Sequence, residues 1–307
     1  MNWQPDPSWS ALRGGAGPAT AGLWRGRVGD SDAVIKRLRR PEPDEAALLD
    51  PTHAGYWRRE VEVALDQEAV DGPGLVPAEV LRAEEDDEGA TVVTVEVVPE
   101  REIGPPPSLF VAAALGRFAG SAYREVAWAS RRTLTDRLAM AEERGGWPTL
   151  SRTTLADTAE HLWKQRGHWL TARDAGPAGR LHGDAVPANF VAARGEDVVT
   201  VDWQGFGIGP VGTDLGYYAL SAREDFEVLL DAYCQGLAAV GSTAERDQVQ
   251  LAATVMAVYT VFSRAEWALA RVAPGEGALA GKFGHPAVAP HLRALQRQIP
   301  RIESLLR

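Results

Sequence analysis

Cysteine is almost missing from this chain: Cys234 is the single thiol in 307 residues. No intrachain disulfide can form, and four-cysteine zinc sites are excluded. A reducing, cytoplasmic compartment is the natural expectation. Long apolar runs are missing as well. The opening residues, MNWQPDPSWS, hold no stretch of signal-peptide length. The longest strongly apolar stretch, Leu251 to Phe262, is about twelve residues and includes Thr254 and Thr260. A membrane span needs roughly 18 to 20, so a core helix is expected there and no membrane partner. Lysine is the third scarcity. Of 32 basic residues only Lys36, Lys164 and Lys282 are lysines, and a chain so biased keeps lysine where arginine does not fit.

What is present is enough to bury a substantial core. Hydrophobic residues make up 45% of the chain, enough for one large domain or two packed lobes. The net charge of −10 disfavours nucleic acid, whose phosphates require clustered Lys and Arg. An acidic surface could steer a cationic substrate, although acidic balance also serves solubility alone. Oligomeric state is not readable from the sequence.

The N-terminal part reads as strands. Leu12 to Thr20 is rich in Gly and Pro, and Leu23 to Val28 and Ala33 to Leu38 follow as strand-like runs separated by Gly29-Asp30. A helix is expected from about Tyr56 to Ala69. Two more strands, Ala78 to Arg82 and Thr91 to Val98, are joined by the acidic turn Glu84 to Gly89, read as a solvated hairpin tip. After Gly104-Pro105-Pro106-Pro107 the pattern turns helical to about Asp174, with a polar, strand-rich passage at 181–202. Helices are then expected over Ser221 to Leu237, Thr243 to Val272 and His291 to Leu306, the last interrupted by Pro300. The arrangement predicts an α+β fold of two lobes, a small antiparallel sheet lobe at 1–98 and a larger, mainly helical lobe at 99–307.

Polar chemistry concentrates in LHGDAVPANFVAARGEDVVTVDWQGFG, residues 181–207. Phe190 to Ala193 and Val198 to Val201 read as the arms of a hairpin, with Arg194 to Asp197 as its turn. The start of one antiparallel arm lies beside the end of the other, so Asn189 and Asp202 should converge. Asp184 stands five residues before Asn189; Gly183 frees the backbone there and Pro187 discourages a helix. Three oxygen-bearing side chains, with no cysteine or paired histidine, suit Mg2+ rather than zinc. A magnesium ion with few protein ligands takes the rest of its coordination from substrate phosphates and water.

H-G-D, four residues, N, then a strand ending in D resembles the catalytic and metal-binding segments of the aminoglycoside phosphotransferase family, whose fold is that of the protein kinases. Gly183 stands where kinases carry Arg, and Asp202-Trp203-Gln204 replaces their D-F-G; both departures are found in small-molecule kinases of this type. The resemblance implies that Asp184 orients or accepts the proton of the attacking hydroxyl, and that Asn189 and Asp202 hold the metal. It also implies that His182 supports the loop and that Asp214, in GTDLG, braces it, although a plain N-cap by Asp214 or Thr213 is the local alternative. Upstream, Lys36 in AVIKRL resembles the phosphate-binding lysine and Glu60 its ion-pair partner, with Glu62 as competitor. Gly15 and Gly17, within Gly14 to Thr20, would close over the phosphates. Glu96 to Val98 would be the hinge whose backbone meets the adenine. The resemblance spans about Gly14 to Ala219.

By that resemblance the chain moves the γ-phosphate of ATP, or GTP, to a hydroxyl of an antibiotic or related natural product. A metabolic acceptor such as an amino alcohol, sugar or amino acid belongs to the same chemistry. Two other classes compete. Gly207 to Gly212 matches G-x-G-x-x-G, a dinucleotide fingerprint, but residues 221–240 look helical where a second parallel strand ending in an acid is required. A non-catalytic kinase-like nucleotide-binding module would show damage at Lys36, Asp184, Asn189 or Asp202, and all four are present.

Overall fold

The computed structural model describes residues 3–12, 17, 19–98, 104–143, 156–272, 286 and 288–298. Its first layer is a five-stranded antiparallel sheet in the order β1-β2-β3-β6-β5. The strands are β1 (Ser10–Ala11), β2 (Thr20–Val28), β3 (Ser31–Arg39), β5 (Val80–Asp86) and β6 (Gly89–Val95). Gly29 closes the β2–β3 hairpin in the left-handed region at φ 59°, as Gly-Asp turns favour. Alternation along β3 sends Ala33 and Ile35 to one face, with Val93, Trp9 and Trp24, and Leu38 to the other. That second face packs against the short helices α1 (Ala46–Leu49) and α2 (Arg59–Leu65) through Val61, Leu48 and Trp57.

One expectation about this region changes. The last strand stops at Val95 rather than Val98, because beyond it the chain leaves the ladder. The acidic turn is the expected exposed tip of the β5–β6 hairpin, and two of its acids also pair with arginines. Asp86 receives both Arg37 guanidinium nitrogens at 2.6 and 2.9 Å, and Glu85 receives Arg58 Nε at 2.6 Å. Arg37 is itself buried at 4% exposure, so Asp86 completes a buried cation from across the sheet.

The second layer is helical. It contains α3 (Ser108–Gly120), α4 (Thr133–Glu143), α5 (Ala156–Lys164), α6 (Arg166–Asp174), α7 (Thr213–Tyr218), α8 (Phe226–Ala239), α9 (Arg246–Val272) and α10 (Ala289–Arg297). Helix α9 runs 27 residues, about 40 Å at 1.5 Å per residue. It contains the apolar stretch read as a core helix, with Val255, Val258, Tyr259 and Phe262 fully buried. Among the described residues no helix is long and apolar enough to cross a membrane. Pro300 and the expected end of the last helix lie outside the described residues.

Short strands set into this layer position the polar segment. β8 (Phe190–Arg194) and β9 (Asp197–Thr200) form the expected hairpin. A third strand that sequence patterning did not reveal, β4 (Leu75–Pro77), adds to β9 in parallel, Leu75 opposite Val198. Three residues are too few to show a period, and this strand ties the connection between α2 and β5 to the hairpin. The glycine fingerprint falls on β10 (Gly207–Pro210), which pairs antiparallel with β7 (Ala178–Leu181) and leads into a helix of only 6 residues. A dinucleotide-binding unit requires parallel strands at that point, so the dehydrogenase reading is excluded.

Candidate active site

Lys36 stands mid-strand in β3, between Leu23 of β2 and Val92 of β6. Its Nζ donates to Asp202 Oδ1 at 2.8 Å and forms an ion pair with Glu60 Oε2 at 2.6 Å. Glu62 pairs instead with Arg58. Two residues apart on a helix means about 200° of rotation, so 60 and 62 cannot share a face. Burial by itself would lower the Lys36 ammonium, but the charges of Glu60 and Asp202 outweigh it and hold it above the usual lysine range. Burial pushes the Glu60 carboxyl up, against the pull of Lys36.

Asp202 follows β9 in the left-handed region, φ 62° and ψ 60°, the one non-glycine residue with positive φ among those described. Aspartate tolerates this conformation better than most residues, and here the contact with Lys36 holds it. Asn189 closes the 3-10 turn Pro187–Asn189. Its Nδ2 donates to the Asp184 carbonyl at 2.9 Å and to Asp184 Oδ2 at 3.2 Å, which leaves Oδ1 as its remaining acceptor. Val201 N donates to Asn189 O at 3.0 Å. The hairpin geometry therefore brings 189 beside 201–202, as antiparallel pairing requires.

The loop 182–184 is fixed from below. Asp214 Oδ2 accepts from His182 N at 2.6 Å and Oδ1 accepts from Gly183 N at 3.0 Å. Burial pushes this carboxyl up, while His182 and the two backbone donors favour its charged form. Neither Asp214 nor Thr213 caps α7: the cap position is Gly212, and Thr213 Oγ1 donates to Pro210 O at 2.6 Å. His182 is fully buried. Asp184 N donates to its Nδ1 at 3.4 Å and its Nε2 meets Val201 O at 3.0 Å, so both ring nitrogens are engaged. Gly183 has φ 79°, and a Cβ there would fall 1.8 Å from Gly205 O. The H-G-D glycine is thus required twice over, by its backbone angle and by close approach to the segment after Asp202.

Lys36, Glu60, Asn189 and Asp202 border a cavity of about 490 Å³ between the sheet and the hairpin, whereas Asp184 is not among the residues that line it. Leu23, Val34, Val92 and Val191 supply apolar walls; Lys36, Asn189 and Asp202 lie at its polar end. Glu96 and Val97 also line it. The Glu96 side chain is tied to Arg25 at 2.5 Å, whereas Val98 is 69% exposed and contributes nothing to the lining. Gly17 approaches the Asp202 segment: a Cβ there would lie 2.3 Å from Gln204 Oε1. Gly15 lies outside the described residues. Among the described residues no group of three His, Cys, Asp or Glu side chains could hold a metal; the oxygens on Lys36 are those of Glu60 and Asp202, and Asn189 lines the same cavity.

Arg59 is the residue that sequence reasoning missed. It is fully buried and donates to five backbone carbonyls: Pro51 at 2.9 Å, His53 at 2.7 Å, Ala54 at 3.1 Å, Trp128 at 2.9 Å and Gln204 at 3.0 Å. Burial pulls its guanidinium down to about 10. It therefore joins α2, which carries Glu60, to the chain just after Asp202. It is one of three buried residues of α2, with Val61 and Val63, and no residue-type rule would have promoted it.

The chain belongs to the phosphotransferase enzyme family, APH, whose model matches residues 14–251. No curated protein matches the sequence. Among solved structures it is similar to the microcompartment-associated aminopropanol kinase, at 15% identity and TM-score 0.61 over 97% of this chain and 93% of that one. It is similar to an amicoumacin kinase in complex with AMP-PNP, Ca2+ and Ami, at 11% identity and TM-score 0.60 over 97% and 89%. It also resembles an aminoglycoside phosphotransferase from Streptomyces rimosus in complex with ADP and streptomycin, at 18% identity and TM-score 0.50 over 82% and 94%. These likenesses agree with the two-lobed protein-kinase-like fold.

Proposed function

We propose that this protein transfers the γ-phosphoryl group of ATP, or GTP, to a hydroxyl of an antibiotic or related natural product and so inactivates it. The observation that carries the proposal is the joining of Lys36, Glu60 and Asp202 at one end of a cavity that Asn189 also lines. Residues 1–98 form the nucleotide-binding lobe and 99–307 the catalytic and acceptor-binding lobe. The apolar walls accept a purine, with the 96–98 segment at its edge, and Gly17 closes over the phosphates.

Asn189 Oδ1 and the Asp202 carboxylate are a hard-oxygen pair suited to Mg2+. Bound there with the nucleotide, the ion would neutralise phosphate charge as it develops in the transition state. Lys36 adds its fixed charge, kept in place by Glu60. Asp184, oriented by Asn189, aligns the acceptor hydroxyl and takes up its proton. The new bond joins the acceptor oxygen to the γ-phosphorus, the β–γ bridging bond breaks, and the diphosphate leaves. Support for nucleotide and divalent metal comes from the relatives, one holding ADP and another AMP-PNP with Ca2+.

A metabolic acceptor is the second reading, since the proteins of similar fold include an aminopropanol kinase beside the amicoumacin kinase and the streptomycin-bound enzyme. A nucleotide-consumption screen over antibiotic and metabolite panels, with mass detection of the added phosphate, separates the two. Nucleotide binding with no phosphorylated product across both panels would leave a non-catalytic module as the better description.

A further inference from the structure

The end of the cavity away from Lys36 carries a charged pair of its own. Leu23 stands opposite Lys36 across the β2–β3 ladder, and Arg25 stands opposite Val34. Arg25 is therefore one pleat repeat, about 7 Å, from Leu23 on the same face of β2. On β6 the order repeats, with Val92 opposite Lys36 and Thr94 opposite Val34. Glu96 is next in that alternation, and its N–H donates to Asp32 O at 2.9 Å. Arg25 and Glu96 both line the cavity, and Arg25 Nη2 lies 2.5 Å from Glu96 Oε1. The carboxylate is mostly buried and the guanidinium more than half exposed. The pair thus joins the roof strand to the 96–98 segment at the base end. Among the described residues neither side chain makes another hydrogen bond or ion pair.

Arginine offers only donors and an ionised carboxylate only acceptors. A purine that satisfies both must present acceptors on neighbouring atoms and donors on neighbouring atoms. Guanine does so: O6 and N7 face a guanidinium fork, and N1–H with the N2 amine face a carboxylate. Adenine places its N6 amine between N1 and N7, so neither two acceptors nor two donor atoms adjoin, whichever way round it lies. The side-chain amides among the described lining residues, which could supply the donor–acceptor pair adenine takes, are both committed. Gln67 Nε2 donates to Ala78 O at 3.0 Å and Asn189 Nδ2 to the Asp184 carbonyl at 2.9 Å. We propose that Arg25 and Glu96 read the nucleobase and select guanine, so that GTP is the phosphoryl donor. The proposal rests on the phosphotransferase reading and narrows its nucleotide.

The test needs no acceptor: calorimetric binding of GDP, IDP and ADP to the full chain with magnesium. GDP should bind about tenfold or more tighter than ADP, within what one paired base contact discriminates. IDP should fall between them, because inosine keeps O6, N7 and N1–H and lacks the N2 amine. Arg25→Gln should bring ADP at least level with GDP, since an amide pairs with adenine, and Arg25→Lys should keep part of the GDP preference. Glu96→Gln should narrow the gap between GDP and IDP. ADP binding as tightly as GDP, or tighter, in the parent protein overturns guanine selection and leaves phosphotransfer standing with an adenine nucleotide as donor. A GDP preference unchanged in both Arg25→Gln and Glu96→Gln overturns these residues as its readers. Should none of the three nucleotides bind with magnesium, the phosphotransferase reading fails and guanine selection falls with it.

Discussion

Lys36 is caged by carboxylates, with Glu60 at 2.6 Å and Asp202 at 2.8 Å; Arg137 and Arg264 rest on Tyr217, with no ion pair to either among the described residues. Arg59 is a third arrangement, a buried guanidinium met only by carbonyls. The contrast shows what each cation is free to do. A caged ammonium is held in place and can share its charge with an incoming phosphate. A carbonyl-bound guanidinium has every donor engaged and can only hold chain segments together. On Tyr217, Arg137 keeps one buried donor, Nη1, without an acceptor.

The largest effect that would break this contrast is expected at the proposed proton acceptor. Asp184→Asn should preserve folding and nucleotide binding yet reduce turnover by about 10²–10⁴; steady-state rates close to the parent would remove Asp184 from its role. Next is Arg59→Met, which strips five carbonyls of their donor. A loss on the order of 3 kcal/mol in denaturant unfolding is expected, and an unchanged midpoint would show that the carbonyls find other partners. Asp202→Ala should weaken magnesium-dependent nucleotide binding by about 10–100-fold. Titrations that coincide with and without magnesium would contradict the metal assignment.

A finer test concerns pH. The folded-state pKa of Lys36 is raised above its ordinary value of 10.5. The stability it contributes is therefore fully present below that value and is lost only as pH climbs through the raised one. The Tm difference between the parent and Lys36→Met should stay flat from about pH 8 to about pH 10 and shrink above; a decline already at pH 8 to 9 would mean the cage does not hold. The smallest effect is expected at Glu62. Glu62→Gln loses a helix-surface pair and should cost about 0.5 kcal/mol or less, whereas Glu60→Gln should lower nucleotide affinity. A reversal of that order would mean that Glu62 partners Lys36 once nucleotide is bound.

Much of the site was legible because its parts are local. The H-G-D loop, the hairpin 190–201 and Asp202 lie within 21 residues, and antiparallel pairing alone predicts that their oxygens meet. Lys36 could be placed by its alternating strand. The choice between Glu60 and Glu62 could not, since either carboxylate can reach a neighbour until the helix is rotated against the sheet. Arg59 was illegible for a related reason: its partners come from residues 51–54, 128 and 204, and carbonyls carry no sequence signature. The strand Leu75–Pro77 was too short to announce itself, and only its partner Asp197–Thr200 made it one.

By itself, then, the sequence determined the chemistry available: a hard-oxygen set beside one retained lysine, on a chain with one cysteine and no membrane-length run. Tertiary structure decided the assignments, namely which glutamate meets Lys36, that Asp202 sits at φ 62°, and that two arginines share Tyr217. The physical reason is range. Hairpin geometry and helix period act over a few residues and can be read along the chain, while charge pairing and burial act through space and depend on which surfaces the fold brings together.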